Sequence, residues 1–207
     1  MNIDNYKNII ILGKSPKFIN FVKNNFIYKK ISILKWRNLK ISDNKFKSPD
    51  LILICGFDYK SYRYDYKKYY EVNISKPLDI IRKLCKKETT IIYINTMLKK
   101  KYTLSRYYYA KHKLNEELIK NFKNLVSIES PTIITRGNVD IFGSKIQKII
   151  FKILIYLKIL ENIDYNHLKK KIIQHLKHLK KQSKFKVNGI FLTLPRNIFI
   201  DRILRFL

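Results

Sequence analysis

The chain has 207 residues, enough for one domain with a real core, and its 46% apolar and 14% aromatic content excludes a mainly disordered state. Lys and Arg number 44 against 15 Asp and Glu, a net charge of +29. The basic residues run evenly from end to end, with no arginine-rich arm, zinc-finger spacing or RNA-binding aromatic motif, so a specific nucleic-acid module is not expected and only weak polyanion binding is.

Short apolar runs alternate with helical patterns, the signature of an α/β fold. Residues 8–13 predict a buried parallel strand closing on Gly13, and 15–25 a helix with Pro16 suited to its first turn. A second strand is predicted at 30–36 and a third at 50–56, closing on Gly56. Residues 69–87 fit a helix despite Pro77, 89–95 a strand and 107–123 the next helix. Either 125–129 or 132–135 supplies another strand. Beyond Gly143, residues 146–160 and 167–181 predict basic amphipathic helices, 188–194 a late strand and 198–207 a terminal helix. Their Lys-plus-Leu/Ile character allows peripheral membrane contact. The runs 8–12, 51–55 and 91–94 are expected side by side at the centre of the sheet, since continuous apolar stretches suit strands covered on both faces. The expected architecture is one unit, with a doubly wound, mainly parallel sheet in 1–145 and a small C-terminal cap, 146–207, packed on it.

Cys55 and Cys85 are too few for a disulfide scaffold, and His112, His167, His175 and His178 form no zinc set, so no metal is expected. The opening residues lack the apolar core of a secretion signal, and the most apolar segment, 149–160, carries Lys152 and Lys158 and is too short to span a bilayer. The expectation is a cytoplasmic protein.

Tyr107 and Lys111 stand four apart at the head of a predicted helix, on one face, with Cβ atoms about 5–6 Å apart. An ammonium beside a phenol favours the phenolate and lowers a pKa that is otherwise about 10. A tyrosine tuned in this way can move a proton at neutral pH. Tyr109 and Lys113 have the same spacing and stay open as the alternative pair.

Taken together, these segments resemble the short-chain dehydrogenase/reductase superfamily over roughly residues 8–195. The nearest branch is the extended one, with its NAD-dependent epimerases and dehydratases of nucleotide sugars. Residues 50–56 resemble the strand that enters the cofactor site, and Ala110 is the small residue that often precedes the family's lysine. The resemblance implies a Rossmann-like fold and a set of roles. Tyr107 would be the acid/base, and Lys111 would tune it and hold the nicotinamide ribose. Thr96, with Ser105 as its substitute, would orient the substrate oxygen, and Asn73 would anchor a relay water. Gly13, Lys14, Ser15 and Gly56 would line the cofactor, Arg37 would favour NADP over NAD, and Arg136 and Lys145 would contact substrate.

Three departures stand against that pattern. Of the branch's G-x-x-G-x-x-G only Gly13 is present, with Pro16 and Ile19 in the later glycine positions and Lys17 nearby to compensate. Lys35, Trp36 and Arg37 stand where an acidic residue would hold the adenosine ribose. Residues 38–49 are too few for a full helix-and-strand unit. The implied function is an NAD(P)-dependent epimerase, dehydratase or reductase acting on a nucleotide sugar in polysaccharide biosynthesis, with a homodimer allowed. The alternatives are a non-catalytic Rossmann-fold module, or a basic protein of membrane surfaces or nucleic acids.

Overall fold

The computed structural model describes residues 3–36, 48–96, 106–135, 138–139, 145–158 and 162–179. Five strands, β1 (Ile3–Leu12), β2 (Phe26–Leu34), β3 (Leu51–Ile54), β4 (Thr90–Thr96) and β5 (Leu125–Ser130), form one sheet in the order β2-β1-β3-β4-β5. Every pairing in it is parallel. The helices are α1 (Pro16–Asn25), α2 (Tyr66–Tyr70), α3 (Lys76–Leu84), α4 (Arg106–Asn121), α5 (Lys145–Tyr156) and α6 (Tyr165–Leu179).

Successive strand residues face opposite sides of a sheet, and both sides here are covered. Ile9, Ile11, Leu53 and Ile92 pack with Phe21 and Val22 of α1 and Leu168, Ile172 and Leu176 of α6. Ile10, Leu12, Ile52 and Tyr93 pack with Ile81 of α3 and Leu114 and Leu118 of α4. The apolar runs expected at the centre, now β1, β3 and β4, are indeed neighbours. The chain leaves β1 for β2 on one flank and returns to β3 on the other. That reversal opens a crevice at the carboxyl ends of β1 and β3, where doubly wound sheets take ligands.

Local chemistry moved several boundaries. β2 begins at Phe26, directly after α1, because Phe26 is buried edge-on against Phe21, ring centroids 5.6 Å apart. The helix expected over 69–87 is α2 and α3 joined by a π-turn, Glu71–Ser75, in which the Lys76 N–H reaches back five residues to the Glu71 carbonyl. Pro77 has no N–H, and its ring would crowd the carbonyl four residues earlier, so the wider turn accommodates it. Both candidate strands near residue 130 exist. Pro131, which cannot donate to a ladder, separates β5 from β6 (Thr132–Thr135). β6 lies in a second sheet between β7 (Asn138–Val139) and β8 (Asn162–Asp164). The expected strand at 188–194 and helix at 198–207 lie outside the described residues, as do Arg37, Ser105 and Arg136. No helix among the described residues is long and apolar enough to cross a membrane.

Candidate functional site

On the β1 side, the crevice floor is backbone packed against backbone. Gly13 has φ +131°, and a Cβ on it would stand 2.7 Å from the Gly56 nitrogen and 3.0 Å from Cys55 Sγ. Its N–H donates to the Leu34 carbonyl at 2.9 Å, tying the end of β1 to β2. A Cβ on Gly56 would stand 2.5 Å from the Trp36 ring. Trp36 is buried there, and its indole Nε1 has no hydrogen-bond partner among the described residues. α1 opens just beyond Gly13, with Pro16 in its first turn and no side-chain capping bond from Ser15. The unpaired N–H groups of such a helix start, with its dipole, favour an anion. Exposed Lys14 adds positive charge beside it. Lys17 is committed elsewhere: its ammonium donates to Thr135 Oγ1 and lies 5.7 Å from the Tyr165 ring centroid.

The β4 side is built from buried polar groups. Lys111 is buried; its ammonium donates to the Ile94 carbonyl at 2.7 Å and sits 4.5 Å from the Tyr93 ring centroid. The Tyr93 hydroxyl donates in turn to the Lys111 carbonyl at 2.9 Å, so strand and helix hold each other. Desolvation lowers the Lys111 ammonium to about 8, with Cys55 acting in the opposite sense. The Cys55 thiol is pushed up to about 11 by desolvation, against the Ser15 N–H and Lys111, which favour its thiolate. His112, also buried, is lowered to about 4 by desolvation, partly offset by a hydrogen bond with the Thr96 backbone. Residues 111 and 112 thus clamp the carboxyl end of β4.

Asn73 is fully engaged. Its Oδ1 accepts from the Asp58 N–H at 3.1 Å, and its Nδ2 donates to Ser61 Oγ at 2.9 Å and the Tyr69 carbonyl at 3.1 Å. Asp58 in turn accepts from the Lys60 N–H at 3.0 Å and starts the short 3-10 helix Tyr59–Arg63. The π-turn and the segment after β3 are therefore pinned together through one amide.

The Tyr107 ring stands edge-on to Phe57 at 4.8 Å, one residue beyond Gly56. Lys111, one turn further along α4, is inside, whereas Lys113 pairs on the same helix with Glu116 at 3.1 Å and Glu117 at 3.5 Å. Tyr109 accepts from the Tyr66 hydroxyl at 3.1 Å. Its phenol is pushed up first by desolvation and then by that bond. Thr96 is half-buried at the end of β4, its N–H bonded to Asn95 Oδ1 at 2.9 Å. Lys145 is exposed at the start of α5.

Gly13, Ser15, Cys55 and Gly56 gather at the switch point, with Lys111 acting electrostatically on Cys55. Sequence patterns did not point to Asp58, Ser61 or Tyr93; their only signal is being polar within or beside buried runs. Among the described residues no group of three or more His, Cys, Asp or Glu could hold a metal.

No protein-family model and no curated protein matches this chain. Solved structures do. A dTDP-4-dehydrorhamnose reductase from Bacillus anthracis strain Ames, in complex with NADP, is similar over 86% of this chain and 72% of its own, with a TM-score of 0.53 at 10% identity. A dTDP-4-dehydrorhamnose reductase from Clostridium acetobutylicum is similar over 84% and 71%, with a TM-score of 0.54 at 12% identity. At such identity the likeness is one of fold: a mainly parallel, Rossmann-like sheet flanked by helices.

Proposed function

We propose that the chain is a reductase of the short-chain dehydrogenase type, which binds a nicotinamide dinucleotide in the β1–β3 crevice and acts on a nucleotide sugar. The observation that carries this reading is the buried Lys111 ammonium at the end of β4, one helical turn after Tyr107 and beside the switch point. Lys111 has three N–H donors and makes one hydrogen bond among the described residues. Ribose hydroxyls are suitable partners for the other two. The tight Gly13–Gly56 approach and the uncapped start of α1 fit a pyrophosphate, with Lys14 and Ser15 beside it.

A bound nicotinamide would supply the hydride. The chain's own residues do the rest. Tyr107 gives its hydroxyl proton to the sugar oxygen, and Lys111 holds the phenol toward the phenolate and steadies the ribose. Thr96 orients the substrate oxygen. Asn73 fixes the segment after β3 on which Phe57, and with it the Tyr107 ring, rests. Tyr109–Lys113 is the poorer pair, because its phenol is shifted away from ionisation and its lysine is tied to carboxylates. Residues 146–207, with Lys145 at their edge, and Arg136 make up the substrate side in this reading, and Arg37 favours NADP. Nucleotide-sugar reduction is also the activity that names both similar structures.

Trp36 favours a second reading. Its ring fills the space over Gly56 on the adenosine side, which suits a non-catalytic module that kept the fold and closed the site. The two readings separate in one assay. NADPH oxidation with a keto nucleotide sugar should proceed in the wild type and fall by about 10²–10⁴-fold in Tyr107→Phe. Equal turnover in the two proteins would remove Tyr107 from the mechanism, and none in either would favour the module.

A further inference from the structure

The apolar faces of α5 and α6 meet different surroundings. Leu168, Ile172 and Leu176 of α6 are buried under the sheet. On α5, Ile146 is 70% exposed, Ile149 57%, Ile153 52% and Tyr156 86%, and Leu157 just beyond is 57% exposed. Their spacings of three and four put them on one face of the helix. Ile150, Phe151, Leu154 and Ile155 are half-buried on the other side. Lys145, Lys148 and Lys152 each stand one residue before an exposed isoleucine, all three exposed, and so form a basic row alongside the apolar one.

We infer that α5 is a membrane-surface helix that lies in the headgroup region of an anionic bilayer. An apolar stripe flanked by lysines is the pattern that inserts shallowly while its ammonium groups meet lipid phosphates. Charge decides among the occupants. No acidic residue lies between 141 and 160, and the whole chain carries +29. A second copy would bring the same sign to the contact, and so would residues 180–207, with seven Lys and Arg against one Asp. A nucleic-acid backbone would meet the lysines and leave the isoleucines in water. Of these occupants an anionic lipid surface is the one that satisfies both rows, its headgroups meeting the lysines and its acyl chains the isoleucines.

The test uses the full chain and vesicles of phosphatidylcholine with or without phosphatidylserine. The wild type should co-sediment with the anionic vesicles, and part of that binding should survive high salt because it is apolar rather than Coulombic. Ile149→Ser with Ile153→Ser should cut partitioning by about tenfold and remove the salt-resistant part while leaving the helical signal unchanged. In a Trp36→Phe background, the emission of Tyr156→Trp should shift to the blue on vesicle addition and be quenched by brominated lipid. Binding by the double serine variant equal to that of the wild type would overturn the proposal, since charge alone would then suffice. So would emission already blue-shifted without lipid, which would mean that residues 180–207 cover the face. A lipid-free dimer broken by Ile149→Asp would assign the face to a second copy instead.

Discussion

At the carboxyl edge of the sheet, β4, α4 and the π-turn packed against α4 tie buried polar groups together by hydrogen bonds, whereas the β1–β3 flank removes side chains and brings backbones and an indole together. Lys111, Tyr93, Asn73 and Asp58 carry the first arrangement through hydrogen bonds of 2.7–3.1 Å. Gly13, Gly56 and Trp36 carry the second, with approaches that leave no room for a Cβ. The flanks should therefore fail differently: the glycine flank through sterics at any pH, and the lysine flank through electrostatics that follow pH.

The largest effect is expected on the glycine flank. Gly13→Ala combines a positive φ with backbone only 2.7 Å from the new Cβ, so it should lower stability by about 4 kcal/mol in urea unfolding, with little dependence on pH. A loss below about 1 kcal/mol would mean that the β1–β3 approach is loose.

Lys111→Met probes the other flank. The Lys111 ammonium titrates near 8 in the folded chain against 10.5 as its ordinary value, so between these pH values the unfolded chain binds more protons. Stability therefore rises with pH across that window, while below about pH 8 both states carry the charge and its burial cost stays in full. The wild type should gain on Lys111→Met by up to about 3 kcal/mol on going from pH 8 to pH 10.5. Cys55 and Cys85, both pushed up, act in the opposite sense as pH rises; Cys85 does so equally in both proteins, whereas Cys55 loses the Lys111 charge that favours its thiolate and so adds to the difference in the same direction. Parallel pH curves for the two would show that Lys111 is solvated rather than buried.

Asn73→Ala should cost less, about 2 kcal/mol, chiefly by leaving the buried Asp58 N–H without its acceptor. Chemical unfolding at neutral pH measures it, and near-neutral behaviour would remove Asn73 as the pin between the π-turn and the segment after β3.

The sheet was legible in the sequence because β1, β3 and β4 are buried on both faces and so read as unbroken apolar runs. The head of α4 was legible from the spacing of Tyr107 and Lys111. Much else depended on tertiary context. Pro77 signalled a fault in its helix but not that a π-turn would absorb it, and 125–129 and 132–135 read as alternatives for one strand rather than as strands of two sheets on either side of Pro131. The helices α5 and α6 look alike in sequence, yet one buries its stripe and the other exposes it. At the site, nothing local says that the Lys111 ammonium turns to the Ile94 carbonyl, or that Trp36 covers Gly56. Both contacts join segments far apart in the chain.

Trp36 is the only tryptophan in the chain and sits on the crevice floor, so its emission reports directly on the central claim, cofactor binding between β1 and β3. Titration of the full chain with NADPH should quench Trp36 saturably and raise dihydronicotinamide emission by energy transfer, with both responses lost in Lys111→Met. Unchanged Trp36 emission, with no heat of binding for NADPH or NADH at concentrations on the order of millimolar, would contradict the account and leave a Rossmann-like module without its cofactor.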